Sequence, residues 1–190
     1  MDKLQKNSPM KNLSGFTLIE LMITIVIAGI LLAVGVPSFN AFAANNRLTT
    51  QVNSFVTAVN FTRSEAIKRS SSVTICKSNT GTSCAGNWSD GWVVFDDINN
   101  NGAINAGDTI IRVHGALQND NTLISSANRI SYSSQGLAPG FNNTFTLCDN
   151  RGATKAKAII TSNTGRVRLA IDSNADGTVE DGSGSNITCP

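Results

Sequence analysis

Charge is scarce in this 190-residue chain, and histidine is almost absent. Charged residues make up 15% of it, against roughly 25% in ordinary soluble domains. The formal charge is +2, and it falls to zero once Lys3, Lys6, Lys11 and Asp2 are set aside with the first fifteen residues. Net charge therefore offers no argument for a nucleic-acid partner, and only local patterning can. His114 is the one histidine and no Cys-x-x-Cys occurs, which removes the usual zinc ligand sets. No nucleophile–base pair or metal cluster stands out, so the sequence argues against an enzyme and points to no catalytic residue, metal or cofactor. Ser, Thr, Asn and Gly fill the gap left by charge, a composition suited to an exported domain rich in strands and turns.

What is present begins with an apolar run. Residues 16–36 read FTLIELMITIVIAGILLAVGV and carry one charge, Glu20. As a helix rising ~1.5 Å per residue the run spans roughly 30 Å, one hydrocarbon core. Three lysines precede it, which predicts an N-terminus kept in the cytoplasm. An ordinary secretory signal is cut after its apolar run, whereas here the small residue, Gly15, comes before it.

Behind the Lys-rich leader, Gly15-Phe16-Thr17-Leu18-Ile19-Glu20 resembles the cleavage motif of type IV prepilins and type II secretion pseudopilins. The resemblance implies a prepilin-peptidase cut between Gly15 and Phe16, with methylation of the new Phe16 amine. It also implies an inner-membrane anchor with a periplasmic head, then packing with other pilin subunits into a pilus or pseudopilus fibre. Met10 could start a shorter leader of the same kind. A carboxylate within an apolar span costs on the order of 2.5–3.5 kcal/mol or more, so Glu20 needs a partner. The Phe16 amine of a neighbouring subunit would neutralise it and favour one axial register in assembly. Reaching the headgroups from the helix start is the plainer alternative.

Pro37 should kink the helix or loosen one turn. Beyond it Leu48, Val52, Phe55, Val56, Val59, Ala66 and Ile67 recur at three- and four-residue spacing, the stripe of an amphipathic helix facing a globular head. From Ser72 the period changes to two. Candidate strands are Val73–Lys77, Trp92–Phe95, Thr109–His114, Arg129–Tyr132, Thr144–Cys148, Ala156–Thr161 and Arg166–Ile171, with Asn/Gly/Ser clusters between them. The expected class is α+β, a type IV pilin-like long N-terminal helix packed against an antiparallel β-sheet head. The expected segments are a leader at 1–15, a transmembrane and fibre-core helix at 16–36, its amphipathic continuation at 37–70 and the head at 71–190.

An even cysteine count in an exported chain reads as two disulfides. Of three possible pairings, Cys76–Cys84 with Cys148–Cys189 is favoured: the first closes a short Gly-containing loop, and the second holds down a tail with few apolar residues. Asp97, Asn99, Asn101, Gly102 and Asp108 fit the spacing of a calcium loop, but Asn and Asp also dominate plain turns, and the turn is the preferred reading. The stretch from Asp172 to Gly177 begins similarly, but Ser183 stands where the last ligand should be.

Between Cys148 and Ile171, Arg151, Lys155, Lys157, Arg166 and Arg168 stand against one acid, Asp149, while Asp172, Asp176, Glu180 and Asp181 follow. Ala156, Ala158 and Ile160 share parity, as do Val167, Leu169 and Ile171. If both sets face one core, Lys155, Lys157, Arg166 and Arg168 form an outward ridge, with Ile159 breaking the pattern. Gly165 can supply the positive φ for the turn. Such a ridge suits a polyanion, held through its phosphate backbone weakly and without sequence preference.

Asp90-Gly91-Trp92-Val93-Val94-Phe95-Asp96-Asp97, followed by an Asn/Gly loop and Ile110-Ile111-Arg112, resembles the GspH/FimT group of minor pilins and pseudopilins. Gly165-Arg166-Val167-Arg168 is similar to the GRxR motif of FimT-type minor pilins, where it is linked to DNA binding in natural transformation. The resemblance implies that role for Gly165, Arg166 and Arg168. The competing expectation is a GspH-like pseudopilin or fibre-initiating subunit that contacts only other pilins.

Overall fold

The computed structural model describes residues 15–119 and 121–190; the leader before Gly15, with its possible start at Met10, lies outside the described residues. Helix α1 runs Leu18–Arg69. Its start is closed reciprocally: the Thr17 backbone N–H donates to Glu20 Oε2 at 3.2 Å, and the Glu20 N–H donates to Thr17 Oγ1 at 3.3 Å. This is a capping box, written in the sequence as Thr-x-x-Glu, and it gives Glu20 a partner within its own chain. The helix continues through Pro37 without interruption.

The residues up to Ala43 and the residues Ala44–Pro190 form two separate compact units. In the first, α1 is apolar all round, with a mean hydropathy of 2.6 over 18 residues and none of them buried within the chain. Such a surface calls for a lipid or protein environment.

The second unit is the head. Within it α1 buries Leu48, Val52, Phe55, Ala58, Val59, Thr62, Glu65 and Ala66, at helical spacing. Ile67, expected on that stripe, is exposed. Eight strands follow: β1 (Val73–Lys77), β2 (Trp92–Asp96), β3 (Thr109–His114), β4 (Thr122–Ile124), β5 (Arg129–Tyr132), β6 (Thr144–Cys148), β7 (Lys157–Thr161) and β8 (Val167–Leu169). They build two four-stranded sheets rather than one, in the orders β3-β2-β1-β5 and β4-β6-β7-β8. Every pairing is antiparallel. The strand Thr122–Ile124 is short and carries no alternation long enough to read from the sequence.

Both sheets share one core with α1. Phe55 is its centre, meeting Trp88, Trp92 and Phe145 with ring centroids 5.5, 5.2 and 4.9 Å away. Each sheet also has a second apolar cluster. Cys76, Val93 and Phe95 gather with Cys84, and Cys148, Ala156, Ala158 and Ile187 gather with Val179 and Cys189. Disulfides join Cys76 to Cys84 and Cys148 to Cys189, one in each cluster. All three clusters lie between Leu48 and Cys189, so residues 44–190 carry a complete core of their own.

Candidate nucleic-acid interface

The β7–β8 hairpin turns through Ser162–Gly165, closed by Ser162 N–H donating to the Arg166 carbonyl at 3.0 Å and Gly165 N–H donating to the Ser162 carbonyl at 2.8 Å. Gly165 has φ 76°, and a Cβ there would run into the Gly136 carbonyl oxygen. That carbonyl also accepts a hydrogen bond from Arg63 Nε on α1 at 2.9 Å. Gly165 is therefore required twice over, by its left-handed backbone and by close contact with a neighbouring loop. Tyr132 packs beside it, and burial pushes the Tyr132 phenol up to about 12.

Register decides which cations lie together. β7 pairs with β8 as Ile159↔Leu169, Ile160↔Arg168 and Thr161↔Val167. Residues opposite one another in an antiparallel pair project from the same face. Arg168 thus shares a face with Ile160 and Ala158. Lys157 shares the other face with Ile159, whose side chain is in the main core. The expected four-cation ridge does not form. Its premise was a sheet with one apolar face, whereas this sheet is covered on both, by α1 on one side and by the C-terminal tail on the other. Ile159, the residue that broke the expected alternation, was the signal of that second face.

Arg166 and Arg168 are exposed and belong to no ion pair among the described residues. Lys155 is exposed at the end of a 3₁₀ turn, Ala153–Lys155, rather than in the strand, and Lys157 is half-buried at the start of β7. Arg151 is held elsewhere. Its Nε and Nη2 reach Asp149 Oδ2 at 2.9 and 2.7 Å, and its Nη1 donates to Asn45 Oδ1 at 2.9 Å. Burial pushes the Asp149 carboxyl up, but the hydrogen bonds and charge of Arg151, aided by Arg47, outweigh it, so Asp149 stays below the usual carboxylate range. Arg151 is a structural cation, tying the β6–β7 connection to α1.

Two further placements were not legible beforehand. Ser54 Oγ lies 3.1 Å from His114 Nε2, while His114 stacks on Trp92 and its Nδ1 is 2.7 Å from the Gly115 carbonyl oxygen. The pair joins α1 to β3. Asp97 is buried, with its carboxylate accepting from the Asn101 and Gly102 N–H groups and the Thr74 hydroxyl. Its loop is built as a turn.

The comparisons with known proteins converge on this architecture. A family model described as type II transport protein GspH matches residues 51–165. The chain belongs to the GspH family. A second model, the prokaryotic N-terminal methylation motif, matches residues 10–36. The chain resembles the type IV minor pilin FimU of Pseudomonas aeruginosa in two crystal forms. One matches at a TM-score of 0.55 and 20% identity, covering 68% of this chain and 92% of that one. The other matches at 0.52 and 17%, covering 65% and 92%. These structures share the fold: a long N-terminal helix with antiparallel sheets. No curated protein matches the sequence. The GspH-family chain is thus a pilin-like subunit, a structural class. Membership implies prepilin-peptidase processing, an inner-membrane anchor before assembly, and association with other pilin subunits. The GspH match ends at Gly165, one residue short of Arg166 and two ahead of β8.

Proposed function

We propose that this chain is a minor type IV pilin whose periplasm-facing head binds double-stranded DNA through its phosphate backbone and supports uptake in natural transformation. The observation that carries the reading is the pair Arg166 and Arg168. Both are exposed and without an acidic partner among the described residues, beside a glycine that fixes the turn. Two residues along an extended chain separate their heads by about 7 Å, close to the phosphate spacing of an extended strand. A guanidinium offers a planar fork to phosphate oxygens. Lys155 and Lys157 add to the local field, Lys157 from the face opposite Arg168. Arg151, bonded to Asp149, contributes no phosphate contact. Processing between Gly15 and Phe16 and a register-setting contact at Glu20 complete the proposal for assembly.

The test is a salt-titrated binding assay of the head, residues 44–190, with duplex DNA of mixed sequence. Replacing Arg166 and Arg168 together by Ala should weaken binding at least tenfold at moderate salt. It should also flatten the slope of log K against log salt by up to about 2. Replacing Lys155 and Lys157 should cost markedly less. Unchanged affinity in the double Arg variant would reject the assignment. It would favour the second reading, a pseudopilin or fibre-initiating subunit, which the description of the matched family model supports.

A further inference from the structure

The C-terminal tail carries a second loop that the DNA reading leaves unused. Asp172, Asn174, Asp176 and Gly177 occupy the first, third, fifth and sixth places of a calcium loop, with the Thr178 carbonyl at the seventh. Gly177 has φ 90°, the sharp turn that sixth place requires. The twelfth place is Ser183, which on sequence alone breaks the pattern. The fold supplies an acid from the ninth place instead.

Glu180 is only 6% exposed. Its backbone N–H donates to the Ile171 carbonyl at 3.2 Å, which closes the base of the loop. Its Oε2 accepts the Ser173 N–H at 2.9 Å, so the carboxylate is turned into the loop. Its Oε1 is buried without a hydrogen-bond partner among the described residues. No described Lys, Arg or His pairs with Asp172, Asp176 or Glu180. A buried carboxylate oxygen with neither donor nor cation is costly unless something positive comes to it.

We infer that the Asp172–Glu180 loop is a calcium site, with Asp172, Asn174, Asp176, the Thr178 carbonyl and Glu180 as oxygen ligands. In the structure, Asp176 Oδ2 is held by two amide donors, Asn186 Nδ2 at 2.7 Å and Asn174 Nδ2 at 3.1 Å. Among the described residues the acidic side chains do not converge on one point. Binding swings these amides aside and draws Asp176 and Glu180 together. Calcium tolerates the irregular oxygen shell of so short a loop, whereas magnesium demands a near-ideal octahedron. The Asp97 loop shares the spacing and the turn, but among the described residues it holds no buried carboxylate oxygen left without a partner, as Glu180 Oε1 is in the tail loop. The inference is independent of DNA binding.

Calorimetry and thermal melts of the head with calcium chloride, and separately with magnesium chloride, test it. One calcium should bind with Kd about 10⁻⁴–10⁻³ M, in the range of extracellular modules. At millimolar calcium, Tm should rise by several degrees, and magnesium should do far less. Replacing the exposed pair, Asp172→Asn and Asp176→Asn, should weaken binding more than tenfold, read by calorimetry at a temperature well below the calcium-free melt of the variant. Glu180→Gln should lose most of the calcium response without lowering the calcium-free Tm, since it removes an unpartnered buried charge. No heat and no Tm shift at 10 mM calcium would overturn the site. So would an equal response to magnesium, or an undiminished response in both variants.

Discussion

Gly165 shows how a motif glycine acts at the scale of one residue. Its value lies in what it lacks, since any Cβ would strike the Gly136 carbonyl and also face a φ of 76°. Gly165→Ala should therefore destabilise the head by about 2–4 kcal/mol, read as a fall in Tm. Asn at the same position would ease the backbone strain but not the collision, so it should rescue little. The positive φ was legible from the Ser-Asn-Thr-Gly turn. The collision was not, because Gly136 is 29 residues away in sequence and nothing local encodes its approach. Glu20 shows the reverse case. Thr-x-x-Glu is a local signal written in the sequence, and it supplies a partner three residues away even within an apolar span.

At the scale of elements, strand positions other than the short β4 were legible, and strand facing was not. The first, third, fifth and sixth strands begin and end where their alternation says. Parity across β7–β8 failed because an α+β head is expected to leave one sheet face to water. Here the tail covers that face with Ile187, Val179 and the Cys148–Cys189 bridge. The β6–β7 connection carries a further prediction. Asp149 titrates below its ordinary value, so its contribution is present at neutral pH and is lost as acidification passes through its lowered folded-state pKa. Arg151→Ala should cost about 1–3 kcal/mol at pH 7, and the loss should shrink as acidification passes through the lowered folded-state pKa of Asp149, below which the carboxyl is protonated with or without its partner. Urea melts of both proteins on acidification would check the convergence. A difference in stability that does not shrink at all on acidification would contradict the account.

Over the whole molecule, stability rests on two crosslinks of unequal reach. Cys76–Cys84 spans 8 residues and Cys148–Cys189 spans 41. On loop-closure entropy alone the two are worth about 2.5 and about 4 kcal/mol. Replacing the second pair by Ser should lower Tm more than replacing the first, and hydrogen exchange should then show residues 171–190 opening ahead of the rest. The second sheet would be left with one face bare. The class and the anchor were legible because apolar length and a processing motif are local features of the chain. The division of the head into two sheets was not, since it depends on which strands pair across long separations.

Gly136 has a mechanical meaning. Its carbonyl is gripped by Arg63 of α1 on one side and pressed by Gly165 on the other. A pull applied at Arg166 therefore reaches the long helix within a few bonds and contacts, without first unzipping the β7–β8 hairpin. For a subunit proposed to hold a polymer on a fibre, such a short load path passes tension from the hairpin straight to α1.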